Sequence, residues 1–559
     1  MSGGEPADLP DEVAEPAALA REVARLGFVL DDEQVGAMRE AVVAAEPAVA
    51  ALRRRPVAMD GAADPAHGDR WPRTPARARE RSGAAEGAAR APDDPESVSG
   101  LLAAFADGRR TPEQAVAEVL ERLRAAHDGL NCTIRVLDER ATRAAAESTR
   151  RWAAGRPRPL EGVPFGVKDV IDVAGVPTTA GSWCHGERPA ATSATVVRRL
   201  EEAGAIPVSK DATTEFAVGG PHPPRFGSVR NPWDPARWAG GSSTGSAAAV
   251  AARAVPFALG TDVGGSVRLP SAWCGLTGLK PTAGAVPRTG VFPLSWTAET
   301  VGPLTRSADD AGRVFALLRG PDGHDPRVEE LPAFVTEGRD DLAGLRVAVV
   351  GGEVTAFCDA DVRAGVDAVV GHLAAAGAEV VEAELAHGAA ALPIGYEIVF
   401  AEAATLHRLD RDRWDRYDPV TVRRISQGIT TSAVDYLRAL QFRAELQREL
   451  DAVLARADLL VMPTCPSTAP SLPDATVVVD GATYPLYAAQ SRTTMIANLT
   501  GAPALALPSG LAGDGCPTSV QFVGRPHDEA TLLWAAGVVQ TRTEHHRQAP
   551  PVLPDPSLR

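Results

Sequence analysis

The chain has 559 residues, 45% of them hydrophobic, with 57 basic and 72 acidic residues and a formal net charge of −15. That charge excludes a general nucleic-acid binder, which needs a basic face against phosphates, while the apolar fraction is ample for a large core. No uninterrupted apolar run of about 18 residues is present, so no spanning helix and no membrane partner are expected.

In chain order, residues 15–55 read as an Ala-rich helical extension. Pro16 sits near a helix start and Gly27 ends the first segment. Asp31 or Asp32 caps the second, and Pro47 is expected to break or kink it. The opening residues are acidic and carry no secretory leader pattern. Residues 56–96 are rich in Ala, Arg, Gly and Pro without apolar periodicity, and are expected to be a flexible linker.

A compact domain is expected from 97 to 545. Thr111, Pro112 and Gln114 form a capping-box signature at a helix start. Expected strands are 205–208, 255–259, 345–350, 379–381, 459–462, 504–507 and 520–523. Expected helices are 193–203, 243–254, 307–318, 360–376, 432–456 and 528–540. Alternating strands and helices over this length predict an α/β domain with a covered sheet. Residues 546–559 are expected to be a loose tail. Six cysteines are scattered with no CxxC pair, so disulfides and zinc are not expected and a reduced cytoplasm fits.

Only three basic residues are lysines, Lys168, Lys210 and Lys280. All three fall in the stretch that carries the chemistry. Gly240-Gly-Ser-Ser-Thr-Gly-Ser246 runs into an Ala-rich helix, and Gly260-Thr-Asp-Val-Gly-Gly-Ser266-Val-Arg268 follows a short apolar run. Consecutive N–H groups in such glycine-rich turns can hold a developing negative charge. A serine nucleophile also needs a base, and no histidine lies within 15 residues of Ser266. The run Gly162-Val-Pro-Phe-Gly-Val-Lys168 carries a lysine into the interior instead. Desolvation disfavours its charged form, and moving its pKa to near 7 takes about 4–5 kcal/mol. A neutral lysine accepts a proton; arginine cannot. Gly241–Gly245 also fits the GxSxG elbow of α/β-hydrolases, but the Pro-rich residues before it cannot form the strand that elbow requires.

These segments together resemble the amidase signature family over roughly 98–545. The likeness rests on 162–182, 215–234, 240–252, 260–282, 301–312, 462–466, 497–510 and 520–533. It implies an α/β/α sandwich with a large mixed central sheet, here with an N-terminal helical extension. It implies a Ser–cisSer–Lys triad: Ser266 as nucleophile, Ser242 as proton relay after a cis Gly241–Ser242 peptide, and Lys168 as base. The amides of Val263, Gly264, Gly265 and Ser266 would form the oxyanion hole, supported by Ser243, Asp262 and Arg268. Lys210 and Lys280 are expected to give structural support.

No cofactor or metal is implied, and the partner is a small amide substrate. A homodimer through the extension is a further expectation, since some relatives use such extensions for dimer contacts. Specificity is expected from 217–225, 385–435 and 467–495, with Tyr396, Phe400, Trp414 and Trp296 as pocket or core residues. His222, Cys184 and Cys274 are expected to serve packing. One alternative is the A-type component of a tRNA amidotransferase, which holds the amino end of glutamine with an acidic group; the position here is Ser491. A catalytically silent scaffold is the other.

Overall fold

The computed structural model describes residues 16–25, 30–54, 94–328, 330–335 and 338–551. Most of the expected linker and the end of the expected tail lie outside the described residues.

The architecture is a mixed α/β fold around one eleven-stranded sheet. Its strands are β1 (Thr133–Val136), β2 (Pro164–Lys168), β3 (Ile206–Asp211), β4 (Phe257–Asp262), β5 (Thr277–Lys280), β6 (Thr300–Thr305), β7 (Arg346–Val350), β8 (Glu379–Ala383) and β9 (Leu459–Pro463). A hairpin of β10 (Thr476–Val479) and β11 (Ala482–Pro485) stands apart, and β12 (Ala504–Leu511) and β13 (Pro517–Gly524) complete the sheet. The order across the sheet is β1-β3-β2-β4-β6-β5-β12-β13-β9-β7-β8. β3, β2 and β4 run parallel at one end and β9, β7 and β8 at the other, with antiparallel pairs between. Both faces are covered. Along β4, Phe257 and Leu259 enter one apolar cluster while Ala258 enters another, and Leu459 and Leu460 divide in the same way on β9. That alternation is the pleat with two buried sides.

Helices fill the two outer layers. The extension supplies α1 (Pro16–Arg25) and α2 (Asp32–Arg54). The helices that bear on the site are α3 (Pro112–Leu130), α4 (Thr244–Ala251), α5 (Arg268–Cys274), α6 (Ala391–His407), α7 (Pro419–Thr430), α8 (Ala433–Leu454) and α9 (Thr494–Thr500). Thr111 caps α3 with the expected reciprocal bonds to Gln114. Asp31, rather than Asp32, caps α2: its carboxylate accepts from Gln34 N at 2.8 Å, and Gln34 Oε1 accepts from Asp31 N at 3.0 Å. Pro47 does not end α2, which continues to Arg54.

The extension docks on its own catalytic domain. Met38 and Leu52 are buried, Arg53 forms a two-pronged bond to Asp435 at 2.9 and 3.0 Å, and Arg438 donates to Leu52 O. Asp94 and Glu96, at the end of the expected linker, are tied to the domain through Arg306, Arg110 and Arg122. Arg547, inside the expected tail, accepts from Arg253 through its carbonyl. By length and composition alone the stretch 388–410 is apolar enough to cross a membrane, a feature that a search for uninterrupted apolar runs misses; most of it is buried in the fold, where it carries Glu397 and Glu402.

Candidate active site

The site forms where two parallel neighbours end. Phe165, Gly166 and Val167 of β2 pair with Phe257, Ala258 and Leu259 of β4, so Lys168 and the Thr261–Asp262 end of β4 reach the same edge. Ligands gather at such carboxyl ends in open α/β sheets. The chain leaving β4 turns through 263–266 into α5, while the serine loop 240–243 opens α4. Close approach of these loops needs glycine: a Cβ on Gly260 would lie 2.6 Å from Ser243 Oγ.

Lys168 is fully buried. Its Nζ lies 2.7 Å from Ser242 Oγ and 2.9 Å from Thr261 Oγ1. Burial pushes this lysine down to about 7, against the opposing pull of Glu299 and Asp262. The Gly241–Ser242 peptide is cis. Ser242 and Ser266 line one open cavity. Ser243 braces the loop, its N–H donating to Ser266 O at 3.3 Å and its hydroxyl to Thr261 O at 3.4 Å.

Asp262 and Arg268 form a fully buried ion pair at 3.0 Å. Burial alone would raise the Asp262 carboxyl, but the Arg268 guanidinium, with Lys280 and Asn498, holds it well below the usual carboxylate range. Asp262 also accepts from the amides of Gly265 and Val267 at 2.8 and 3.2 Å. The Gly265 N–H, expected to face an oxyanion, is therefore turned into this network. The amides of Val263, Gly264 and Ser266 have no acceptor among the described residues.

Two partners of the pair were not assigned any role from sequence: Asn498 accepts from Arg268 at 2.6 Å and Gln521 at 2.9 Å. Thr261 and Glu299 were missed as well. Glu299 is buried beside Lys168, and burial pushes its carboxyl up to about 7. Each of the four lies in or next to a segment that carried the family likeness, which is the only signal for them in the sequence.

The other lysines are also fully buried. Lys210 pairs with Asp169 at 2.9 Å and donates to Ile171 O and Thr178 Oγ1, pinning the segment after β2. Lys280 donates to Pro281 O at 2.9 Å, and burial pushes it down to about 7 with Arg268 adding to the effect.

Further parts of the cavity wall come from 217–219, from Trp238, from α6 through Tyr396, Val399 and Phe400, from α7 through Arg424, and from Tyr487, Gln490, Ser491 and Met495. The Arg424 guanidinium lies 4.4 Å from the Tyr487 ring centre and 5.0 Å from that of Phe400. Trp414 is buried elsewhere, its indole donating to His407 O at 3.3 Å, and Trp296 is exposed; neither lines the cavity. His222 is exposed, with Nδ1 2.7 Å from Ser228 Oγ. Cys184 and Cys274 are buried free thiols that contact the carbonyls of Arg413 and Ala239. Among the described residues no group of three His, Cys, Asp or Glu could hold a metal ion.

The chain is similar to known proteins over most of its length. An amidase of Pseudomonas putida is 38% identical over 462 residues, covering 81% of this chain and 98% of that protein. The A-type component of the glutamyl-tRNA(Gln) amidotransferase of Chloroflexus aurantiacus is 36% identical over 492 residues, with the same coverage of 81% and 98%. A solved structure described as a vestigial protein complex revealing the origins of an s-triazine catabolic enzyme superposes with a TM-score of 0.76 at 32% identity, covering 80% of this chain and 98% of that one. The amidase family model matches residues 114–533, and the chain belongs to the amidase family.

Proposed function

We propose that the protein hydrolyses linear carboxamide C–N bonds through an acyl-enzyme on Ser266. The observation that carries this reading is Lys168, fully buried, pushed down to about 7 and 2.7 Å from Ser242 Oγ. As Ser266 Oγ attacks the amide carbonyl, its proton passes to Ser242 while the Ser242 proton passes to neutral Lys168. The C=O pair moves to oxygen, and the amides of Val263, Gly264 and Ser266 hold the oxyanion. Collapse breaks the C–N bond, and the proton on Lys168 returns through Ser242 to the departing nitrogen. Water then adds to the acyl carbonyl, gives its proton along the same relay, and releases the carboxylate and free Ser266. No cofactor enters the scheme.

The test is ammonia release from a panel of amides, followed across pH. Lys168 must be neutral to act, so kcat/KM is expected to fall as pH drops through about 7 and to level off above it. The Glu299 charge raises the Lys168 pKa, so Glu299→Gln is expected to move this acid limb to lower pH. A rate independent of pH between 5 and 9 would remove Lys168 as the base.

The amidotransferase reading has relatives behind it but not the cavity. Its wall carries Arg424 as its one charged side chain among the described residues, and Ser491 stands where a carboxylate is needed for an ammonium group. Protein alone should therefore show no preference for glutamine. The six buried, unpaired cysteines support a cytoplasmic location. A homodimer through the extension remains part of the proposal. Full-length protein and a version lacking residues 1–95 are compared by light scattering: the dimer mass is expected only for the first, and an unchanged dimer in the second would refute the role.

A further inference from the structure

Buried indole N–H groups almost always find an acceptor. This protein follows the rule for Trp152, Trp233, Trp273, Trp414 and Trp534, whose Nε1 atoms each donate to a backbone carbonyl at 2.9–3.3 Å. Trp183 and Trp296 are exposed to solvent. Trp238 is the exception among the described tryptophans: it is 3% exposed, and its Nε1 has no hydrogen-bond partner.

Its position gives the exception a use. Trp238 lines the same cavity as Ser242 and Ser266. A Cβ placed on Gly241 would lie 2.5 Å from Cζ2 of the Trp238 ring, and Cζ2 is two bonds from Nε1. The indole thus packs against Gly241, the residue before Ser242, in the wall of that cavity. An indole N–H is donor-only, so what meets it must be an acceptor. Gln490, Tyr396 and Tyr487, which line the same cavity, each also carry a buried polar atom without a hydrogen-bond partner: Oε1, OH and OH. A wall for a plain hydrocarbon chain would leave all of these unpaired.

We propose that Trp238 reads a second oxygen acceptor on the substrate, so that the preferred substrates are short amides carrying a carbonyl-type oxygen beyond the scissile bond. This rests on the amidase reading above and narrows it. A site built to bond a substrate group discriminates strongly against analogues that lack it, because its own buried polar atoms are then left unpaired.

The experiment measures kcat/KM for 3-oxobutanamide, 4-oxopentanamide and 5-oxohexanamide, each against the plain alkyl amide of equal length, in wild type and Trp238→Phe. The wild type is expected to favour at least one oxo-amide over its partner. In Trp238→Phe that preference is expected to fall roughly tenfold or more, since Phe keeps a ring but has no N–H. Should Trp238→Phe fold poorly, 3-benzothienylalanine at position 238 keeps the bicyclic shape and removes the donor. An enzyme that hydrolyses alkyl amides but prefers no oxo-amide overturns this inference alone. Equal losses on both members of each pair also overturn it, because a packing or oxyanion role would act on every amide. No turnover of any amide, with no label on Ser266 from a fluorophosphonate, is the separate failure of the amidase reading.

Discussion

Lys168→Met lowers kcat by roughly 10⁴-fold and at the same time makes the protein more stable at neutral pH. The two effects share one cause. Lys168 is fully buried, with two hydroxyls beside it and no ion pair among the described residues. Burial holds its pKa at about 7, far below the value of about 10.4 in an unfolded chain. Between those two values the unfolded chain binds more protons than the folded one, so wild-type stability rises with pH across that window. Methionine fills the same space with no charge to desolvate. Its gain is therefore expected to be greatest at pH 7 and below, on the order of a few kcal/mol, and to shrink toward pH 10. Denaturant titrations of both proteins at pH 6, 8 and 10 check the sign. Lys168→Arg should not restore turnover, since a guanidinium keeps its proton. A destabilised Lys168→Met, or an active Lys168→Arg, would mean that the lysine is a structural cation.

Asp262→Ala is the second large effect, and here stability falls. The change leaves the Arg268 guanidinium fully buried without its carboxylate and frees the amides of Gly265 and Val267. Breaking a buried pair from one side costs about 3–5 kcal/mol, because an uncompensated charge remains. Lys280, itself buried and sensed by Asp262, adds to the excess positive charge. Arg268→Ala is expected to cost a similar amount, and the double variant less than the sum, since each single change already removes the shared interaction. Urea unfolding of the three proteins measures this coupling. Losses under about 1 kcal/mol would show that the turn 263–266 holds its shape without the pair.

How far these features could be read in advance depended on whether their cause was local. Leu459–Pro463 and Ala504–Leu511 show in the sequence as apolar runs, and Pro112–Leu130 announces itself by its cap. β5 and β6 were not read, because Thr277–Lys280 and Thr300–Thr305 contain glycine, threonine and proline and are held by their neighbours in the sheet. α6 has no polar face to give a helical period, being buried nearly all round. The positions of Lys168, Ser242 and Ser266 were legible because two glycine-rich turns and one interior lysine are unusual in a chain that otherwise writes arginine. Asn498 and Gln521 were not, since they meet Arg268 from 230 and 253 residues away. Trp238 was also illegible as a donor: only the fold shows which indole lacks an acceptor.

The extension illustrates the same limit. Its helices were readable from capping and composition, but not the surface they cover. That surface includes α6 and α7, which also supply Tyr396, Phe400 and Arg424 to the cavity wall. Leu52 joins the apolar cluster that contains Ile394, Ile398 and Met495, and Met38 the one that contains Val399 and Phe400. Packing, not sequence pattern, joins the extension to the substrate wall.

The most direct test of the central claim is the site of covalent reaction with a fluorophosphonate, read by peptide mass spectrometry. A single adduct is expected on Ser266, with labelling lost in Ser266→Ala and slowed strongly in Lys168→Met. An adduct on Ser242 or on any other residue, or undiminished labelling in Lys168→Met, would contradict the account.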